Sequence, residues 1–96
     1  MHNESAVEDG WRGFKELCHA AVKEDKLDAL LELFLTLEEQ EDLALRFQLI
    51  KALLEGKLPQ REIAKDLQIS ISKITRGSNA LKTIKPIFRE FLQAKM

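Results

Sequence analysis

Between Leu43 and Leu54 the chain holds nine apolar residues, interrupted only by Arg46, Gln48 and Lys51. The stretch around them, about 37 to 55, lacks Gly and Pro and reads as one helix. A surface helix carries one apolar stripe, whereas a helix apolar nearly all round has to be covered on most sides. With 96 residues the chain is one domain, and a chain of this size buries only about 60% of its unfolded surface. Five further short helices are too few to enclose this one, and a second copy is the simplest cover. The sequence therefore predicts an obligate, interlocked homodimer whose folding is inseparable from association. Gly and Pro are scarce, the periodicity is helical throughout and no alternating strand pattern survives a count. The expected fold class is all-α, with about six helices.

A second stretch, Gln60 to Lys82 (QREIAKDLQISISKITRGSNALK), reads as two short helices joined by a tight turn. Ile63, Ala64 and Leu67 mark one buried face, and Ile74, Gly77, Ser78 and Leu81 the other. Ile69 follows the turn, where it can plug the angle between the helices, and Ala64 is small enough for a close crossing. This is the pattern of a helix-turn-helix, whose second helix enters the DNA major groove with its N-terminal residues leading. An αα-hairpin with no DNA role has the same spacing. The turn lacks the usual Gly, so Gln68 has to adopt a left-handed backbone at some cost. Ser70, directly before the second helix, is a good N-cap.

The net charge of -1 hides an asymmetry. Residues 1–55 hold thirteen acidic and six basic side chains, and residues 56–96 hold three acidic and nine basic ones. The positive half contains the helix-turn-helix, as expected where phosphate contacts supply sequence-independent affinity. Cys18 is the only cysteine, which suits a reducing cytosol. No apolar run approaches the roughly 18 residues of a membrane span, and the N-terminus is acidic. The expectation is a soluble, cytoplasmic protein with no membrane partner. His2 and His19 have no ligand-forming neighbours at metal spacing and are assigned to the surface. No Ser, His, Asp or Cys constellation supports an enzyme.

Along the chain, residues 1–9 are polar and are expected to form a flexible arm. Trp11, Phe14, Leu17, Cys18, Ala21 and Val22 recur at helical spacing, predicting a first helix over about 6–23. Leu27 to Leu35 forms a second, and Thr36 with Glu39 makes a capping box for the third, 37–55. Gly56 caps its end and Leu58 before Pro59 is extended. Pro86 opens a last helix whose Ile87, Phe88, Phe91 and Leu92 are expected to return to the core. The organisation is an arm (1–9), a dimer core (10–58), the helix-turn-helix (59–82) and a C-terminal helix (86–94).

Residues 74–82, ITRGSNALK, preceded at 60–62 by QRE, resemble the signature of the tryptophan-repressor family. The resemblance runs from Trp11 to about Leu92 with the same helix order, including the leucine-rich second helix and the ALLEG ending the third. It implies a ligand-gated dimer that binds operator DNA when L-tryptophan, as corepressor, lies between the third helix and the recognition helix. By the same resemblance Arg46 and Arg76 sandwich the indole, and Arg76 pairs with the ligand's carboxylate. Leu33, Leu35 and Thr36 match the end of the second helix, whose carbonyls receive the ammonium, and Gly77 matches the glycine that lets the indole approach. The chemistry of the residues agrees. Guanidinium planes stack on aromatic faces, a carboxylate strengthens hydrogen bonds from Arg, and helix C-termini favour cations. A salt bridge for Arg46, a phosphate contact for Arg76 and helix packing for Gly77 are the plainer alternatives. Arg46, inside an apolar stretch, is expected to be buried.

Some positions depart from the family pattern. Ala80, in the ligand set, stands where a serine can hold the ammonium, and Pro59 replaces a serine N-cap. Ile71, Ser72, Lys73 and Thr75 occupy the reading end of the recognition helix, with Ser72 and Lys73 unlike the best-known member. Ala64 replaces a lysine, although Lys65 is adjacent. Gln60, Arg61, Lys65, Ser72, Lys73, Thr75 and Asn79 are expected to face DNA, with Arg61 and Lys65 on phosphate. Helix-turn-helix dimers, Trp repressors among them, present their recognition helices about one DNA turn apart, roughly 34 Å. Ligand gating is expected to act by shifting the heads toward that spacing. The alternatives are a ligand-independent DNA-binding regulator of similar fold and a module docking on an acidic protein.

Overall fold

The computed structural model describes residues 3–96, which among themselves form six helices and no strand. The chain divides into two compact units, one ending at Glu38 and one running from Glu39 to Met96.

The first unit contains α1 (Glu4–Lys23) and α2 (Leu27–Phe34). The side chain of Asn3 accepts a hydrogen bond from the Ala6 amide (3.2 Å), and Glu4 lies in the positively polarised first turn. The expected arm over residues 1–9 is thus helical from Glu4 onward; His2 lies outside the described residues. Past Lys23 the chain turns through Asp25 (φ 57°), and the Lys26 amide donates to the Ala21 carbonyl at 2.7 Å. Ala21 and Leu30 are buried, and Phe14 meets Phe34 edge-on with ring centroids 5.2 Å apart.

The helix α3 (Leu37–Glu55) begins directly after Thr36, as the capping signal predicts. Of its apolar residues only Leu49 is buried within the chain; Leu37, Leu43, Leu45 and Phe47 are exposed. The second unit is built on the core of Leu49, Ile63 and Ile74, flanked by Ala52, Leu53, Ala64, Leu67 and Ile69. Gly56 ends α3 with φ 66°, a left-handed conformation that glycine adopts without penalty. Pro59 (ψ 152°) then starts α4 (Gln60–Leu67) with no side-chain cap, followed by α5 (Ile71–Thr83) and α6 (Pro86–Lys95).

One expectation for α6 is overturned. Ile87 (76% exposed), Phe88 and Phe91 do not return to this chain's own core. The half-buried residues of α6 are Arg89 and Leu92, three positions apart and therefore on one face. Periodicity identified an apolar face but not whether this chain buries it.

Candidate nucleic-acid interface

The angle between α4 and α5 is set by residues that had to be there. Ile74 is completely buried and Ile63 is 2% exposed; Ala64 and Ile69 pack against them. Gln68 is left-handed (φ 55°, ψ 44°), and the amide of Ile69 reaches back to the Ala64 carbonyl at 3.1 Å. The Ser70 hydroxyl accepts from the Lys73 amide (3.3 Å), so the cap fixes the first turn of α5.

With Ile74 and Leu81 turned inward, the opposite face of α5 points outward. Ile71, Ser72, Thr75, Arg76 and Asn79 line one shallow groove there. Lys73, Arg61 and Lys65 are exposed as well, so cations stand on both helices of the motif. Gln60, expected on DNA, is also tied to the recognition helix: its amide donates to the Ser78 hydroxyl at 3.4 Å, a long bond. In the sequence Ser78 marks only a packing face, because a contact across eighteen positions leaves no local spacing signal.

The ligand set divides. Leu33, Leu35 and Thr36 belong to the first unit, at the end of α2 and just beyond it; Leu33 is 80% exposed, Leu35 half-buried and Thr36 exposed. In the second unit, a Cβ added to Gly77 would stand 3.1 Å from Leu49 Cδ2 and 3.6 Å from Leu53 Cδ1. The plainer role of Gly77, close packing of α5 on α3, is therefore met in the structure. Arg46 lies three and seven positions before Leu49 and Leu53, on the α3 face that meets Gly77. Arg76 and Ala80 flank Gly77 on α5. Contrary to expectation Arg46 is exposed, as are Arg76 and Ala80.

A helix-turn-helix with a buried core, a capped second helix and an outward polar and basic face on that helix has the form of a DNA-binding regulator. The chain belongs to the Trp repressor family: the profile of the "Trp repressor protein" family matches residues 9–96. The Trp operon repressor homolog of Chlamydia trachomatis (serovar D) is 52% identical over 89 residues, which span 93% of this chain and 95% of the relative. That of Chlamydia caviae is 49% identical over 86 residues, 90% of this chain and 85% of the relative. That of Haemophilus influenzae (strain PittEE) is 37% identical over 83 residues, 86% and 82% respectively. The protein is a transcriptional repressor of this family, which comprises DNA-binding regulators and not enzymes. None of the helices described is long and apolar enough to cross a membrane.

Proposed function

We propose that the protein is a cytoplasmic homodimeric repressor that binds operator DNA when L-tryptophan is bound, shutting down genes of tryptophan biosynthesis or uptake. The observation carrying the ligand assignment is the α3–α5 contact at Gly77. It sets Leu49 and Leu53 of α3, three and seven positions after Arg46, against Gly77 of α5, the residue that follows Arg76. Two exposed guanidinium groups, one on α3 and one on α5, suit a planar aromatic ligand bearing a carboxylate. Arg46 and Arg76 stack on the indole, and Arg76 pairs with the carboxylate. By anchoring the same molecule from α3 and α5, these residues favour one orientation of the recognition helix. Binding shifts the population only as far as it prefers that orientation.

The dimer is supported by what one chain leaves uncovered. Leu43, Leu45 and Phe47 on α3 and Ile87, Phe88 and Phe91 on α6 are all exposed, more apolar side chain than a soluble monomer ordinarily presents. A second copy covers these faces without requiring a different partner.

The direct test is calorimetric titration of L-tryptophan into the purified protein without DNA. The expected result is saturable binding at about one ligand per chain, abolished by Arg76→Leu while the variant remains a folded dimer. Arg76 also lines the groove on the reading face of α5, which favours a second reading, a ligand-independent regulator with Arg76 on phosphate. That reading requires no heat at millimolar ligand and unaltered operator binding by the ligand-free protein.

A further inference from the structure

We propose that Arg89 is a positioning residue for DNA binding, and that α6 is the strut through which the dimer frame sets the pose of the recognition helix. The proposal rests on the dimeric repressor reading above and extends it to a residue outside the DNA and ligand sets.

Arg89 lies in the first turn and a half of α6, and its Nη2 donates to the Leu81 carbonyl at 2.8 Å in a partly buried setting. Leu81 is itself buried and stands in the last turn of α5, where carbonyls have no partner within the helix. The guanidinium therefore satisfies an orphan acceptor and sets a cation at the negative end of the recognition helix, both favourable. The Thr83 hydroxyl, bonded to the Ala80 carbonyl at 2.8 Å, closes a second acceptor in the same turn.

The two faces of α6 differ in kind. Arg89 and Leu92 are half-buried on the side carrying the bond to α5. Ile87, Phe88 and Phe91 are exposed on the others, with the two phenylalanine rings stacked 5.9 Å apart. The apolar side is suited to the second copy, as argued above, and the arginine side grips the C-terminus of α5. One rigid helix of ten residues thus holds the dimer frame on one side and the recognition helix on the other. The N-terminal end of α5 is restrained by its packing on α4; Arg89 restrains the far end. Fixing both ends of α5 is what sets the distance between the two reading heads.

The test uses full-length protein, saturating L-tryptophan and a palindromic DNA site selected in vitro by the wild type. Arg89→Met keeps the aliphatic stem and removes the donors; Arg89→Lys keeps the charge and serves if the first variant does not fold. Each is measured on the selected site and on the same site with one base pair inserted between its halves. The expected result is about tenfold weaker binding to the native spacing, as for a lost charge-assisted hydrogen bond. Discrimination against the inserted site should shrink, while dimerisation and tryptophan affinity stay within about twofold. A merely structural role lowers affinity for both sites and for tryptophan together. That outcome, or unchanged spacing discrimination, overturns the proposal. Failure of the wild type to select any DNA overturns the repressor reading and this assignment with it. Binding by the wild type without tryptophan overturns only the gating.

Discussion

At Gln68 the backbone is left-handed, which costs a side chain with a Cβ roughly 1–2 kcal/mol. Gln68→Gly relieves that strain but widens the unfolded ensemble by about 0.4–1 kcal/mol. The variant should be more stable by about 0.5 kcal/mol per chain, read as a shift in denaturation midpoint at fixed protein concentration. A loss of stability would mean that Gln68 makes contacts in the assembled protein that outweigh its backbone. Gly77 poses the opposite question. Ala there gains about 1 kcal/mol of helix propensity, but its Cβ would crowd Leu49, which is buried and must yield a few tenths of an ångström. These effects oppose each other, so Gly77→Ala should change stability by less than about 1 kcal/mol yet weaken tryptophan binding at least tenfold in calorimetry. A large loss of stability with unchanged ligand affinity would reduce Gly77 to a packing residue.

The recognition helix starts at a cap whose removal can be separated from its consequence at DNA. Ser70→Ala should cost about 1 kcal/mol and Ser70→Gly only a few tenths. Ser70→Asp should keep the stability, because a carboxylate also caps the Lys73 amide, and yet lose operator affinity through its charge beside phosphate. Mobility-shift titrations of the three variants, next to their melting curves, check that separation. The start and end of α3, the turn after α4 and the cap of α5 were legible in the sequence because their causes lie within four residues: Thr36 before α3, Gly56 after it, Gln68 and Ser70 around the turn. Asn3 carried the same kind of signal, but the polar stretch around it masked a helix that begins at Glu4. Two other features had no local cause to read. The apolar side of α6 and the exposure of Arg46 depend on what covers each helix, and the Arg89–Leu81 bond joins separate helices across a turn. Of the candidate site, the outward polar face at the start of α5 was legible from spacing, whereas the hydrogen bond from Gln60 to Ser78 was not.

Among the described residues the buried hydrophobic side chains are Ala21, Leu30, Leu49, Ile63, Ile74 and Leu81, too small a set to offset the conformational entropy of a chain this long. Folding should therefore be linked to association, and the melting temperature should rise as protein concentration is increased from micromolar to hundreds of micromolar. Phe91→Glu, which sets a charge on the uncovered side of α6, should give a protein that sediments as a monomer or does not fold. An unchanged dimer would mean that this side remains in water. The same scarcity of internal core has a genetic corollary. In the dimer proposed above, a subunit cannot ignore a defective sibling synthesised beside it. An allele that spoils the reading end of α5, such as Ser70→Asp, leaves the assembly surfaces intact. Expressed at equal level with the wild type, random pairing would leave only about a quarter of the dimers with two working heads. Lesions in the DNA-reading helix should thus behave as dominant, whereas lesions such as Phe91→Glu, excluded from every pairing, should be recessive.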